Sequence, residues 1–300
     1  MSRRVRETFS AYHPLVSMTY FALIFTCAMF FLHPVCLGLS LSGALAYALY
    51  LDGKKALRFG LLYMLPLLVL TALLNPAFNH EGATILLYLR DGNPLTLESI
   101  LYGAAAAFML IAVIFWFNCY TAVMTSDKFV YLFGRVIPAL SLVLSMALRF
   151  TPRFRAQITV IANGQRGLGR DPGRGSLWRR GRQGIRILSI LITWVLENAV
   201  ETADSMKSRG YGLPGRTAFS IYRFDRRDGM ALLFITVCGA YIARGAVAGG
   251  VRFTFFPALA GAGGGLYSLS LFAVYGLLCF MPFFINVREE RRWRSFVSKT

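Results

Sequence analysis

A basic stretch between two sets of apolar runs decides the fold of this chain. Residues 149–210 read RFTPRFRAQITVIANGQRGLGRDPGRGSLWRRGRQGIRILSILITWVLENAVETADSMKSRG. The stretch contains two helix-like pieces, 151–167 and 186–210, and each ends in Arg-Gly. Residues 149–227 carry 16 Lys or Arg against five Asp or Glu, which is +11 of the net +18 of the chain. So dense a charge cannot lie in hydrocarbon, and the positive-inside rule predicts a cytoplasmic location.

The two Arg-Gly ends permit two interpretations. Arg166 and Arg209 each precede a glycine, Gly167 and Gly210, that can adopt the left-handed conformation of a helix C-cap. Cations are also favoured at helix C-termini, so Arg-Gly can be an ordinary helix stop. Alternatively, a guanidinium fork that is held out on a rigid helix end captures a carboxylate of a partner.

Length and composition predict an all-α, polytopic membrane protein. Of the 300 residues, 56% are hydrophobic and 15% are charged, which is typical of a chain with several membrane spans. The five cysteines are single residues in apolar stretches, without the paired spacing of a zinc site, a disulfide framework or a redox pair. We therefore expect them to be packing residues. The basic start has no cleavage site after the first apolar run, which predicts a retained span.

Six apolar runs are expected to cross the membrane. They lie at 15–32, 35–51, 57–74, 100–117, 229–247 and 266–286. An even number of crossings, with the basic loops on one side, places both termini in the cytosol. The predicted domains are N-terminal transmembrane helices at 1–135, a cytoplasmic helical domain at 136–227 and C-terminal transmembrane helices at 228–300.

The segment 75–98 has a net charge of −2 and is predicted to lie outside the cell. Its apolar piece 83–89 is too short to span, so it forms either a hairpin or an interfacial helix. His80 beside Glu81 suggests either an ion site or a capping and loop-fixing role. The following run 103–107 is made of Gly and Ala, which lets helices approach closely in lipid, within the chain or with a partner.

The basic region is expected to hold long helices. Residues 136–150 are apolar but too short to cross, and are predicted to lie along the membrane interface. A helix over 136–166 is about 45 Å long at 1.5 Å per residue, even with a break at the proline within it. The Gly- and Arg-rich segment 164–184 is predicted to be a flexible basic turn. One helix face carries three carboxylates, Glu197, Glu201 and Asp204. They form either a face that is solvated or paired with arginines, or a catalytic cluster.

The sequence lacks the common motifs of catalytic sites. It has no Walker sequence, no His-Glu zinc helix and no Gly-x-Ser-x-Gly elbow. Charged residues are scarce inside the spans, whereas ion pathways usually contain them. The sequence therefore predicts no catalytic residue, no metal ligand and no cofactor.

The whole chain resembles the transmembrane T component of energy-coupling factor transporters, the EcfT/CbiQ-like family. In that family two X-Arg-Gly motifs end cytoplasmic coupling helices. The similar positions here are Gln165, Arg166 and Gly167, and then Ser208, Arg209 and Gly210. The opening Tyr-His-Pro-Leu at 12–15 and the phrases Phe-Asn-His-x-Gly at 78–82 and Asn-Pro-Leu-Thr-Leu-Glu at 93–98 are also similar. Alanine often precedes the arginine in the family, and Arg170 or Arg174 competes for the first role.

The resemblance implies a non-catalytic coupling subunit of an importer in the cell membrane. Two cytosolic ABC-type ATPase subunits would each receive one coupling helix and hydrolyse ATP. A separate small membrane subunit, the S subunit, would capture a vitamin or a metal ion such as cobalt. The substrate would then be decided by another polypeptide. Membrane lipids are expected partners, and nucleic acid is not.

Two other classes of function remain open from the residues. One is a lipid-modifying membrane enzyme that uses His80 and Glu81. The other is a membrane protein whose basic domain holds anionic lipid or nucleic acid, which its charge permits, although the domain has no nucleic-acid recognition module. Co-purification distinguishes them, because a coupling subunit brings down ATPase subunits.

Overall fold

The structure is a computed structural model that describes residues 8–88, 94–134, 137–171, 173, 175–211, 213, 222–261 and 265–297. Its helices are α1 (Pro14–Phe30), α2 (Pro34–Asp52), α3 (Lys54–Phe59), α4 (Leu65–Phe78), α5 (Leu97–Val123), α6 (Ser126–Gly134), α7 (Pro138–Gly167), α8 (Leu177–Ser208), α9 (Arg226–Val247) and α10 (Leu266–Val297). A 3-10 turn (Phe9–Ala11) precedes α1, and a π-helical turn (Gly60–Met64) joins α3 to α4. The predicted all-α fold is confirmed.

Four short strands complete the described structure. They are β1 (Ile85–Tyr88), β2 (Pro94–Thr96), β3 (Phe253–Thr254) and β4 (Ala260–Gly261). β1 pairs with β2 and β3 with β4, and both pairs are antiparallel. Residues 85–88 of the apolar piece predicted at 83–89 thus form a strand of an antiparallel pair and not an interfacial helix, and Leu89 lies outside the described residues.

Six of the described helical segments are long and apolar enough to cross a membrane. Five of them, which contain α2, α3 with α4, α5, α9 and α10, match predicted spans. The sixth is α8, which the sequence assigned to the cytoplasm. The predicted first span is α1, which has only 17 residues because Phe31 is already extended. It lies at the lower limit for a crossing. The number of candidate spans therefore agrees with the expectation, although α8 takes the place of α1 among them.

The chain divides into two compact units. The first unit comprises Met1–Thr125 and Tyr222–Thr300, and the second comprises Ser126–Ile221. These boundaries lie close to the predicted ones at 135 and 227. The assignment of the first unit to the membrane domains and of the second to the cytoplasm stays a prediction.

The core of the first unit is aromatic. Phe9, Tyr20, Phe21 and Trp116 are fully buried, and their rings meet edge to face. The polar atoms of these rings are satisfied, since Trp116 Nε1 donates to Ser40 Oγ at 3.0 Å and Tyr20 OH donates to the carbonyl of a residue in α10 at 3.1 Å. Buried aromatic polar groups of this kind favour a single packing arrangement.

The two His-Pro pairs of the sequence begin α1 and α2. In each pair the histidine is the N-cap and the proline occupies the first turn, where its missing N–H costs nothing. The ring nitrogen Nδ1 of His13 accepts from Leu15 N, and that of His33 accepts from Val35 N, both at 3.3 Å. The His-Pro phrase at 12–15 is thus a helix start.

Small residues bring helices of the first unit together. A Cβ added at Gly103 would lie 2.6 Å from the carbonyl oxygen of Ala72, so α5 and α4 are in direct backbone contact there. The predicted small surface therefore has a partner inside the chain. Gly43 packs in the same way against Cys279. All five cysteines are buried thiols, which confirms their prediction as packing residues.

The second unit is built on the long helices α7 and α8. α7 continues through its internal proline and has 30 residues, or about 45 Å. α8 begins at Leu177, where the Ser176 hydroxyl accepts from Arg179 N as an N-cap. The expected turn at 164–184 is therefore wrong in extent, because most of it belongs to helix. In the first two turns of α8, long side chains with good helix propensity outweigh Gly181 and Gly184.

Candidate functional site

The end of α7 is closed by a Schellman cap. The helix ends at Gly167, and Gly169 has a left-handed φ of 75°. Gly169 N donates to Arg166 O at 2.9 Å, and Arg170 N donates to Gln165 O at 2.9 Å. These are the two backbone bonds that define the motif.

The end of α8 has the same cap. The helix ends at Ser208, and Gly210 has a φ of 74°. Gly210 N donates to Lys207 O at 2.9 Å, and Tyr211 N donates to Met206 O at 3.1 Å. The predicted left-handed turn at Gly210 is confirmed.

The two arginines occupy different positions within this shared cap. Arg209 is the cap residue itself, directly before the left-handed glycine. Arg166 lies two residues earlier, in the last turn of α7, and Leu168 is the cap residue there. The predicted left-handed turn at Gly167 is wrong, because the paired backbone bonds form around Gly169 instead. The two Arg-Gly motifs are thus alike in sequence, but Arg166 lies two residues before the cap position that Arg209 occupies in its own helix.

Arg166 is held by its own helix end. Its Nε donates to Asp171 Oδ1 and its Nη1 donates to Asn163 Oδ1, both at 3.3 Å, while 56% of the side chain stays exposed. An ion pair this exposed contributes about 0–1 kcal/mol and is readily exchanged for another carboxylate. Gln165 is buried, and its Oε1 has no hydrogen-bond partner among the described residues. Its side chain thus points inward and that of Arg166 points outward.

Arg209 lines a cleft between α7 and α8. The cleft has a volume of about 430 Å³, and Arg149, Arg153 and Glu201 also line it. Ser208 turns back on its own helix, because its hydroxyl donates to Ser205 O at 2.9 Å. The α8 end is therefore a concave, basic surface, whereas at the α7 end Arg166 is paired with Asp171.

The two helix ends lie at opposite ends of an antiparallel pair. Arg153 Nη2 donates to Asn198 Oδ1 at 2.9 Å, and its guanidinium lies 5.2 Å from the Trp194 ring centre. Closer to the start of α7, Leu142 shares the cleft with Arg209. At 1.5 Å per residue, the distance along α7 from Leu142 to Arg166 is about 36 Å. The two arginines can therefore meet two separate partner surfaces.

The structure also places other residues that the sequence singled out. Glu197, Glu201 and Asp204 are all exposed, in agreement with a solvated face. Arg170 contributes its backbone N–H to the α7 cap. Arg174 lies outside the described residues.

The predicted external segment is held by a carboxylate that sequence reasoning did not single out. Glu98 is buried and accepts from Thr84 N at 3.2 Å and from Thr84 Oγ1 at 2.7 Å. A Cβ on Gly82 would lie 2.6 Å from Glu98 Oε2, so the glycine makes room for this carboxylate. Residues 78–82 and 94–98 of the two phrases are thus two sides of one loop structure. Within the described residues no group of three or more His, Cys, Asp or Glu can hold a metal ion.

Several curated proteins named "Energy-coupling factor transporter transmembrane protein EcfT" are similar to this chain. The chain is 38% identical over 96 residues to that of Lacticaseibacillus paracasei, covering 32% of this chain and 36% of the relative. It is 34% identical over 99 residues to that of Lactobacillus helveticus, covering 33% and 36%. It is 35% identical over 106 residues to that of Bacillus selenitireducens, covering 35% and 40%. No protein-family model matches the chain.

Over about a third of its length, the chain is EcfT-like. The aligned part spans less than half of the length of these relatives. The resemblance to T components is confirmed on this basis. The six long apolar helical segments found among the described residues of the EcfT-like chain agree with a multi-pass membrane protein.

One feature of the EcfT-like chain could have been found from its sequence and one could not. Gly169 follows Gly167 by two positions, so both glycines are visible in the sequence as possible helix-ending residues. The cleft at Arg209 joins residues of α7 to residues 45–69 positions later in the chain, which no local pattern indicates.

Proposed function

We propose that this chain is the transmembrane coupling subunit of an energy-coupling factor importer. It would transmit the movement of two cytosolic ABC-type ATPase subunits to a separate S subunit that captures a vitamin or a metal ion such as cobalt. The chain itself would hydrolyse no ATP, and both of its termini would be cytoplasmic. The names of the relatives support the transporter class.

The observation that carries the proposal is the arrangement of the two capped helix ends. Each end presents an exposed arginine on a rigid helix, and the two ends are about 36 Å apart along α7. A guanidinium fork binds a carboxylate in a groove of a partner with two parallel hydrogen bonds. One ATPase subunit bound at each end would then move the helix pair α7 and α8 as a lever.

The two ends are expected to bind by different steps. Arg166 must exchange Asp171 for a partner carboxylate, which costs little because the pair is exposed. Arg209 would instead meet its partner as the exposed cap residue of α8. The ATPase subunits would therefore meet unlike surfaces, although both sequence motifs read Arg-Gly.

Substrate uptake in cells that also produce the ATPases and an S subunit tests the proposal. We expect Arg166→Ala and Arg209→Ala each to reduce uptake strongly, and the double variant to abolish it. Truncating one partner of a desolvated charge pair costs about 2–5 kcal/mol. Lys should rescue poorly because it loses the planar fork.

Pull-down of the ATPases is the assembly control, and Arg155→Ala is the matched variant, since Arg155 is exposed on α7 away from its end. Normal uptake by the double variant at equal expression would refute the assignment of these sites. Arg170 and Arg174 would then be the candidates for the first coupling position.

A further inference from the structure

The cleft at the end of α8 has an unusual composition for a surface groove. Three arginines, Arg149, Arg153 and Arg209, line it together with a single acid, Glu201. Its remaining polar lining consists of Ser, Thr, Asn and Tyr side chains, which can donate hydrogen bonds. A cleft of this chemistry selects an oxyanion.

Arg153 is fixed in place before any ligand arrives. Its Nη2 donates to Asn198 at 2.9 Å, and its guanidinium packs over the Trp194 ring at 5.2 Å. A stacked, hydrogen-bonded guanidinium loses little further freedom on binding an anion, and it keeps other N–H donors available. Arg149, one helical turn before it on α7, faces the same cleft.

One wall of the cleft is apolar. Leu142 and Met146 form it, and both belong to the segment of α7 that precedes its first charged residue, Arg149. The neighbouring Val143 is 62% exposed and Leu142 is 41% exposed. An exposed apolar helix segment that runs directly into arginines is the pattern of a helix at the level of lipid headgroups.

We infer that this cleft binds the headgroup phosphate of an anionic phospholipid. Arg149 and Arg153 would hold the phosphate oxygens, and the Leu142 wall would lie beside the acyl chains. A carboxylate of a protein partner would use the arginines but would leave the apolar wall without a function. The inference does not depend on the proposed function, and it is carried by Arg149 and Arg153, which that function does not use.

Native mass spectrometry of the full-length chain in detergent tests the site, with phosphatidylglycerol as the probe. We expect Arg149→Gln to weaken retention of the lipid about fivefold, the effect of one arginine near an anionic lipid. Arg149→Lys should fall between Gln and the unchanged chain, because it keeps the charge and loses the fork. Arg155→Gln, an exposed arginine on the same helix outside the cleft, should retain the lipid fully.

Three results would overturn the inference. Equal loss in Arg149→Gln and Arg155→Gln would show diffuse charge attraction and no site. Displacement of the lipid by an equal concentration of inorganic phosphate would show a site for a soluble anion. Unchanged lipid retention in Arg149→Gln with weakened ATPase pull-down would make the cleft a protein-docking surface. Unchanged thermal unfolding of each variant ensures that the comparison is made on folded protein, and Arg209 is left unchanged throughout.

Discussion

The cap at the end of α7 gives a sharp test, because two nearby glycines should respond in opposite ways to alanine. Gly169 has a φ of 75°, and a left-handed backbone costs a residue with a Cβ about 1–2 kcal/mol. Gly167 is helical, and a Cβ built there meets nothing within 4 Å. Alanine at that position should be neutral or stabilise the helix by up to about 1 kcal/mol.

Amide hydrogen exchange of the purified chain measures this difference. The reporting amides are those of residues 169 and 170, which donate the two cap bonds. A loss of about 1–2 kcal/mol in Gly169→Ala corresponds to exchange about 5–30 times faster. Gly167→Ala should leave the rate unchanged or slower. Gly210→Ala, at the equivalent position of α8, should accelerate exchange at its own cap, since its φ is 74°.

Faster exchange in Gly167→Ala than in Gly169→Ala would refute the cap register that the structure shows. It would restore Gly167 as the left-handed residue, and Arg166 would become equivalent to Arg209. Uptake by the same variants then reports whether the register matters for coupling, because only Gly169→Ala should disturb the position of the α7 end.

Further expectations concern the first unit. Glu98→Ala leaves two donors of Thr84 without their acceptor and should lower the melting temperature of the solubilised chain. Gly103→Ala forces a Cβ to within 2.6 Å of a carbonyl of α4 and should cost about 1–3 kcal/mol, whereas Gly38→Ala, with nothing within 4 Å, should be tolerated. Cysteine placed at Asn79 should react with a membrane-impermeant reagent from outside the cell.

Each of these three expectations has a control variant or an outcome that would contradict it. Glu81→Ala is the control for Glu98→Ala because Glu81 is exposed, and equal melting temperatures of the two variants would exclude a structural role for the buried carboxylate. Equal destabilisation by alanine at Gly103 and Gly38 would contradict the close approach of α4 and α5. Labelling at Asn79 only after permeabilisation would reverse the predicted orientation.

The sequence by itself determined the class of the fold and most of the long helices. A run of about 20 apolar residues has few stable states other than a membrane helix, since every backbone polar group must be satisfied within the segment. Five predicted spans therefore match described helical segments. The burial of the five cysteines followed from the same local apolar context.

The tertiary structure decided what local patterns left open. The sequence predicted Gly167 as the left-handed residue of the α7 cap, and the backbone hydrogen bonds show that Gly169 takes this role. Glu98 became a fixed point of the segment 75–98 through a partner 14 residues away. The three-arginine cleft exists only because antiparallel packing of α7 on α8 brings 149–153 beside 198–209. Contacts across such distances depend on helix register, which is set by the packed face as a whole and not by any single stretch of sequence.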